Sequence, residues 1–224
     1  MTPLELTGRV RTHIVDTPAL GCALHKQVVT AFSALRQSAH AAGLRLEAVS
    51  TFRDFGRQLV IWNGKFTGAK PLRDASGALL DASQLSPEER VSAILQWSAL
   101  PGASRHHWGT DVDLIDTAAW GPALGDPLTC EKFAPGGPFG PLSAWLTAHA
   151  AQYGFFRPFG GVRSGVQAEP WHLSFAPVSE PARRALRTDL LRTALEAAPL
   201  EGKTQVLARL EELHARYVAA IDWP

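Results

Sequence analysis

Apolar side chains recur at helical spacing from Val28 to Ala42, where Val28, Phe32, Leu35 and Ala39 share one face and Gly43 is placed to end the helix. From Leu44 to Val49 the rhythm changes to alternating apolar and charged residues, the period of a half-buried strand. Asp54 can cap a following helix whose apolar face includes Leu59, Ile61 and Trp62. Pro71 to Ser83, rich in Gly, Asp and Ser, is expected to be a loop. Ser86-Pro87-Glu88-Glu89 joins a cap, a first-turn proline and acids near the positive end of the helix dipole. The helix it starts is expected to reach about Leu100 and stop at Pro101-Gly102.

Asp111 to Ile115 predicts a short strand, and Pro122 to Pro141 a long Pro/Gly-rich loop of the kind that usually serves a site. Leu142 to Tyr153 predicts a helix stopped by Gly154, and Trp171 to Phe175 another strand. Beyond Pro181 two amphipathic helices are expected, about Pro181 to Ala197 and Lys203 to Ile221, parted by Pro199-Leu200-Glu201-Gly202. The sum is an α+β fold. A small antiparallel sheet is flanked by helices in a core spanning residues 1–178, with a C-terminal helical hairpin over 179–224.

Composition narrows the function. The formal net charge of +1 gives no electrostatic reason to expect nucleic acid or an anionic membrane surface as partner. No apolar run is long enough for membrane insertion. Met1 to Val10 lacks the basic stretch and apolar run of a signal peptide, so the expected location is cytoplasmic unless an export signal lies outside this sequence. Cys22 and Cys130 leave one disulfide or two free thiols open, and without a C-x-x-C pair a zinc-thiolate site is not expected.

Two distant segments carry the candidate chemistry. Ser104-Arg105-His106-His107-Trp108-Gly109-Thr110-Asp111-Val112-Asp113 enters a strand, and Glu169-Pro170-Trp171-His172 starts another. Catalytic zinc usually takes three N/O ligands and keeps a fourth position for water. His106, Asp113 and His172 can supply two imidazoles and a carboxylate, although spacing does not choose between His106 and His107. Glu169 is a spare carboxylate suited to take a proton from attacking water. Strand parity puts Asp111 and Asp113 on one half-buried face, which is costly unless a cation or hydrogen bonds compensate. Asp111 is then either an orienting partner for a ligand histidine or a residue at the strand's wet end.

Ser104-x-His106-x-x-Gly109-x-Asp111-x-Asp113 with Glu169-x-Trp171-His172 resembles the S-x-H-x-x-G-x-A-x-D and E-x-W-H signature of the LAS zinc metallopeptidases, the VanY-like D-alanyl-D-alanine carboxypeptidases among them. Ser50-Thr51-Phe52-Arg53 with Gln58 is similar to the family's S-x-x-R…Q segment, and Tyr153-Gly154-Phe155 also fits, so the resemblance covers about Leu44 to Phe175. It implies one zinc ion held by His106, Asp113 and His172, with Glu169 as catalytic base and Arg53 at the substrate or the oxyanion. Ser104 and Gln58 are candidate contacts to the peptide. The implied substrate is a peptidoglycan stem peptide or muropeptide losing its terminal D-alanine. The alternatives are L,D-carboxypeptidase or endopeptidase cleavage on the same fold, or a non-catalytic zinc-bearing module, against which Glu169 argues. Asp111 departs from the family pattern, which usually has a small residue there.

Overall fold

A computed structural model describes residues 1–163 and 165–223 of the chain. Its first half runs through helix α1 (Pro3–Leu6), strands β1 (Ile14–Thr17) and β2 (Cys22–His25), helix α2 (Val29–Ala41), strand β3 (Leu46–Ser50), helix α3 (Phe55–Phe66), strands β4 (Leu72–Arg73) and β5 (Leu79–Leu80), and helix α4 (Pro87–Leu95). Then come β6 (Asp111–Asp116), α5 (Cys130–Phe133), α6 (Gly140–His149), β7 (Phe155–Phe156) and β8 (His172–Phe175). The C-terminal part holds α7 (Ala176–Ala185), α8 (Thr188–Glu196), α9 (Lys203–Ala208) and α10 (Leu210–His214).

The caps act where the sequence places them. Asp54 Oδ1 accepts from the Arg57 amide at 2.7 Å to start α3. Ser86 and Glu89 form a reciprocal capping box at α4. That helix stops at Leu95, short of Leu100, because the chain past it is drawn to other partners: the Gln58 side chain takes the Ala99 carbonyl at 2.7 Å.

The main sheet has the order β3-β6-β8-β7 and is antiparallel throughout. Strand parity sorts its faces. Leu46, Val112, Leu114 and Leu173 face α2 and α6, packing with Phe32, Leu35, Phe139 and Leu142 into one buried cluster. Asp111, Asp113, His172 and Ser174 belong to the other parity. Each fully buried Leu or Phe in such a cluster contributes about 1.5–3 kcal/mol, and this holds the sheet rigid beneath the polar set.

Three regions differ from the sequence expectation. Pro71 to Ser83 contains the β4–β5 hairpin, closed by Asp74 Oδ1 accepting backbone amides from Ser76 and Ala78. The Pro122 to Pro141 stretch contains α5 and the first two residues of α6. The β1–β2 hairpin has no alternating pattern to announce it; its register is fixed from Ile14↔His25 to Thr17↔Cys22. The C-terminal region is helical as expected but broken into shorter pieces, ending in a π-helical turn over Ala215–Ala219. Its apolar side chains Leu186, Leu191, Leu195, Val206, Leu210 and Leu213 share one cluster with Trp62, Phe66, Ile94 and Trp108. The boundary expected near residue 178 therefore falls inside α7, which follows β8 without a linker. Cys22 and Cys130 are free thiols, and among the described residues no helix is long and apolar enough to cross a membrane.

Candidate metal centre

The polar face of the sheet gathers the two motifs. Antiparallel pairing sets Asp113 of β6 directly opposite His172 of β8, and Asp111 opposite Ser174. A register shift in β3 brings Ser50 opposite Asp113. His106 reaches the same point from a single 3₁₀ turn, Arg105–Trp108, which ends at Gly109 in the left-handed region, φ 63°. Glycine is needed there twice over: a Cβ would also lie 2.7 Å from the His25 amide nitrogen of β2.

His106, Asp113 and His172 are buried, and each offers a ligand atom within 4.8 Å of the others. Each imidazole has its far nitrogen engaged. His106 Nδ1 faces the Thr51 carbonyl at 2.8 Å, leaving Nε2 3.3 Å from Asp113 Oδ2. His172 Nε2 faces Asp111 Oδ1 at 2.9 Å, leaving Nδ1 3.2 Å from Asp113 Oδ1 and 3.0 Å from Glu169 Oε2. With N–H groups on the far sides, both near nitrogens present lone pairs to one point. Asp113 Oδ1 is buried and has no hydrogen-bond partner. Burial alone would lower the His172 pKa, but Asp111, Asp113 and Glu169 outweigh it and raise it well above the ordinary value. The field at this spot thus favours positive charge, and a divalent cation fits both the donor set and the orphaned carboxylate oxygen.

His107 is excluded from the metal by its own bonds. Its Nδ1 meets the Arg53 carbonyl at 2.5 Å and its Nε2 accepts from the Gly102 amide at 3.0 Å. Burial pushes its pKa down to about 4, which keeps it neutral. Asp111 is also fully buried. Burial would raise its carboxyl, yet Arg105, His172 and Thr110 hold it well below the usual range. Arg105 Nε donates to Asp111 Oδ1 at 2.8 Å, and Ser174 Oγ donates to Oδ2 at 3.1 Å.

Around His106, Asp113 and His172 opens a cleft of about 280 Å³ whose lining also includes Arg53, Ser104 and Glu169. Arg53 donates from Nη1 to Gln58 Oε1 and from Nη2 to Ser50 Oγ, both at 2.9 Å. Gln58 lies behind it, fully buried, with its amide nitrogen on Ala99 O and Ser98 Oγ. The structure therefore gives Gln58 the work of aiming Arg53, not of meeting a ligand, while Ser104 remains at the wall. Glu169 sits on the turn before β8, and Arg157 pins that turn by donating to the Pro170 carbonyl at 3.0 Å and to the Ser143 carbonyl of α6 at 3.0 Å. Nothing in local sequence singles out Arg157; its role needs the fold. Tyr217 and Val218 of the π-helical turn supply another wall.

Residues 21–178 match the sequence model of the VanY family, D-alanyl-D-alanine carboxypeptidase. The chain belongs to this family. Two uncharacterized proteins of Haemophilus influenzae are similar to this VanY-family chain. One is 46% identical over 103 residues, covering 45% of this chain and 70% of the relative. The other is 31% identical over 121 residues, covering 53% and 92%. The fold is similar to that of VanYB in complex with D-alanine-D-alanine, with TM-score 0.52 and 19% identity, over 83% of this chain and 89% of that one. It is likewise similar to a vancomycin-resistance D,D-pentapeptidase VanY mutant in complex with Zn(II), with TM-score 0.51 and 21% identity, over 86% and 88%. Family membership makes this chain a peptidase, on an α+β fold of the VanY type.

Proposed function

We propose that the protein is a zinc-dependent carboxypeptidase that removes the terminal D-alanine from peptidoglycan stem peptides. The observation that carries this reading is the convergence of His106, Asp113 and His172 within 4.8 Å, with the carboxylate of Glu169 3.0 Å from the His172 nitrogen that faces the same point. His106 Nε2, an Asp113 oxygen and His172 Nδ1 would hold the ion. Zinc there supplies Lewis acidity to the scissile carbonyl and to the attacking water.

The chain's own groups do the rest. Glu169, at the cleft wall, takes the proton of the attacking water on a carboxylate oxygen and returns it to the leaving amine. Arg53 stays protonated in spite of burial, which lowers its pKa, because Asp113 and Glu169 act in the other direction. Two of its five N–H donors hold Gln58 and Ser50, so others remain to stabilise the oxyanion. Gln58 and Ser50 fix that guanidinium before substrate arrives.

The test is product analysis. Zinc-loaded protein is incubated with defined stem tetra- and pentapeptides and the products are weighed by mass spectrometry. Loss of one alanine from the pentapeptide supports the proposal. Loss from the tetrapeptide alone makes it an L,D-carboxypeptidase, and an internal cut an endopeptidase. Glu169→Gln should retain zinc by elemental analysis yet lose about 10²–10⁴-fold in turnover. Near wild-type turnover in that variant would remove Glu169 from its role.

A further inference from the structure

Beyond the metal centre the cleft continues between the end of α3 and the β4–β5 hairpin, where its wall is cationic. Lys65 and Arg73 both line it. Among the described residues neither forms an ion pair. Lys65 Nζ makes one long contact, 3.4 Å to the Pro71 carbonyl, and Arg73 Nη1 gives one bond to the Gly77 carbonyl at 2.7 Å. The local fold aims both. Leu72 is buried in the core, so its strand neighbour Arg73 points the opposite way. Trp97 Nε1 ties the hairpin to the cleft wall by donating to the Asp74 carbonyl at 2.8 Å. Lys65 follows Gln58 by two helical turns on nearly the same face of α3, which places it about 10 Å along the axis from the Gln58–Arg53 contact.

The charge there is only partly compensated, by Asp126 on the same cleft wall, which pairs with neither cation. Burial is the largest influence lowering the Lys65 pKa, and Arg73 and Lys70 add to it, with Asp126 the opposing charge. Two half-buried cations side by side cost stability unless an anion joins them.

We propose that Lys65 and Arg73 form a carboxylate-binding subsite for the retained part of the peptide substrate, roughly three residues upstream of the scissile bond. This rests on the carboxypeptidase reading above. An exopeptidase leaves one residue beyond the bond, and a single extended residue spans only about 3.5 Å, so a subsite whose lysine stands two helical turns, about 10 Å along α3, from the Gln58–Arg53 contact suits the longer, upstream side. The substrate class is an acidic peptide whose retained part carries a free carboxylate.

The experiment uses two peptides that differ only in Glu or Gln at the third position upstream of the cleaved bond. The wild-type enzyme should favour the acid by about tenfold in kcat/KM, the worth of a hydrogen bond to a charged group. Lys65→Met and Arg73→Met should each lower that ratio, and the double variant should bring it close to one through KM. Lys65→Arg should restore most of it. General damage to the fold affects both peptides alike and leaves the ratio standing. A wild-type ratio near one, or a ratio that survives the double variant, overturns the proposal. So does a Lys65→Met effect confined to peptides whose C-terminal carboxylate is compared with its amide, since the pair would then hold the leaving residue. Failure of the carboxypeptidase reading looks different: neither peptide loses its terminal residue. In that event the affinities of the two peptides for zinc-loaded Glu169→Gln, measured by calorimetry, still return the ratio that decides for or against the subsite.

Discussion

Asp111 shows how one buried side chain sets the state of another. It accepts from His172 Nε2, Arg105 Nε and Ser174 Oγ, so the imidazole ring cannot turn and its Nδ1 lone pair stays directed at the metal position. Removing one such partner typically costs 10–100-fold in metal affinity. Asp111→Asn should therefore weaken zinc binding by about that factor, measured by competition with a chromogenic chelator. The fold should be retained, because the amide keeps the volume and an acceptor oxygen. Unchanged affinity would reduce Asp111 to a partner of Arg105, Ser174 and Thr110. Strand parity in the sequence already set Asp111 and Asp113 on one face. It could not tell which carboxylate meets the metal point and which stands behind a histidine, because that depends on β8 lying alongside. The choice of His106 over His107 was equally hidden from spacing. It follows from the Arg53 carbonyl and the Gly102 amide, which consume both nitrogens of His107.

At the scale of elements, α3 and α8 illustrate two kinds of legibility. The start of α3 was readable because Asp54 caps it locally. The role of α8 was not, since an amphipathic helix announces only that it packs on something. Leu191 of α8 is fully buried in the cluster that also contains Trp62, Ile94 and Trp108. Leu191→Ala should cost about 2–5 kcal/mol, read from the urea midpoint. If the C-terminal helices were a separate unit, only part of the unfolding signal would shift. A shared core requires the whole transition to move together. The β4–β5 hairpin escaped the sequence pattern because two-residue strands carry no period; turn chemistry at Asp74 and the Trp97 bond make it.

For the whole molecule, the sheet gives one apolar face to the cluster under α2 and α6, and the N-terminal hairpin lies beside the loop that carries His106, the His25 amide donating to the Gly109 carbonyl. His25 of that hairpin is buried, and burial, with His13, Lys26 and the N-terminal amine, pushes its pKa down to about 4 against a weaker opposite pull from Glu5. His13, whose tilted ring lies 5.8 Å from that of His25, is lowered mainly by burial as well. A folded-state pKa below the unfolded value of about 6.5 means the neutral ring is favoured in the fold. The stability it contributes is fully present above about pH 6.5 and is lost as pH falls toward about 4. The urea midpoint should therefore drop across that window, and His25→Asn, which keeps an acceptor for the Gln27 amide, should flatten the drop. An equal slope in the variant would assign the acid sensitivity elsewhere. The donor types, the spare carboxylate, the helix caps and the alternation of β6 were all written in the chain, because each depends on neighbours a few residues away. The pairing of Asp113 with His172, the duty of Gln58 behind Arg53, the Arg157 pin and the cationic wall of Lys65 and Arg73 were decided only when distant segments packed, since contacts across long loops leave no local period to read.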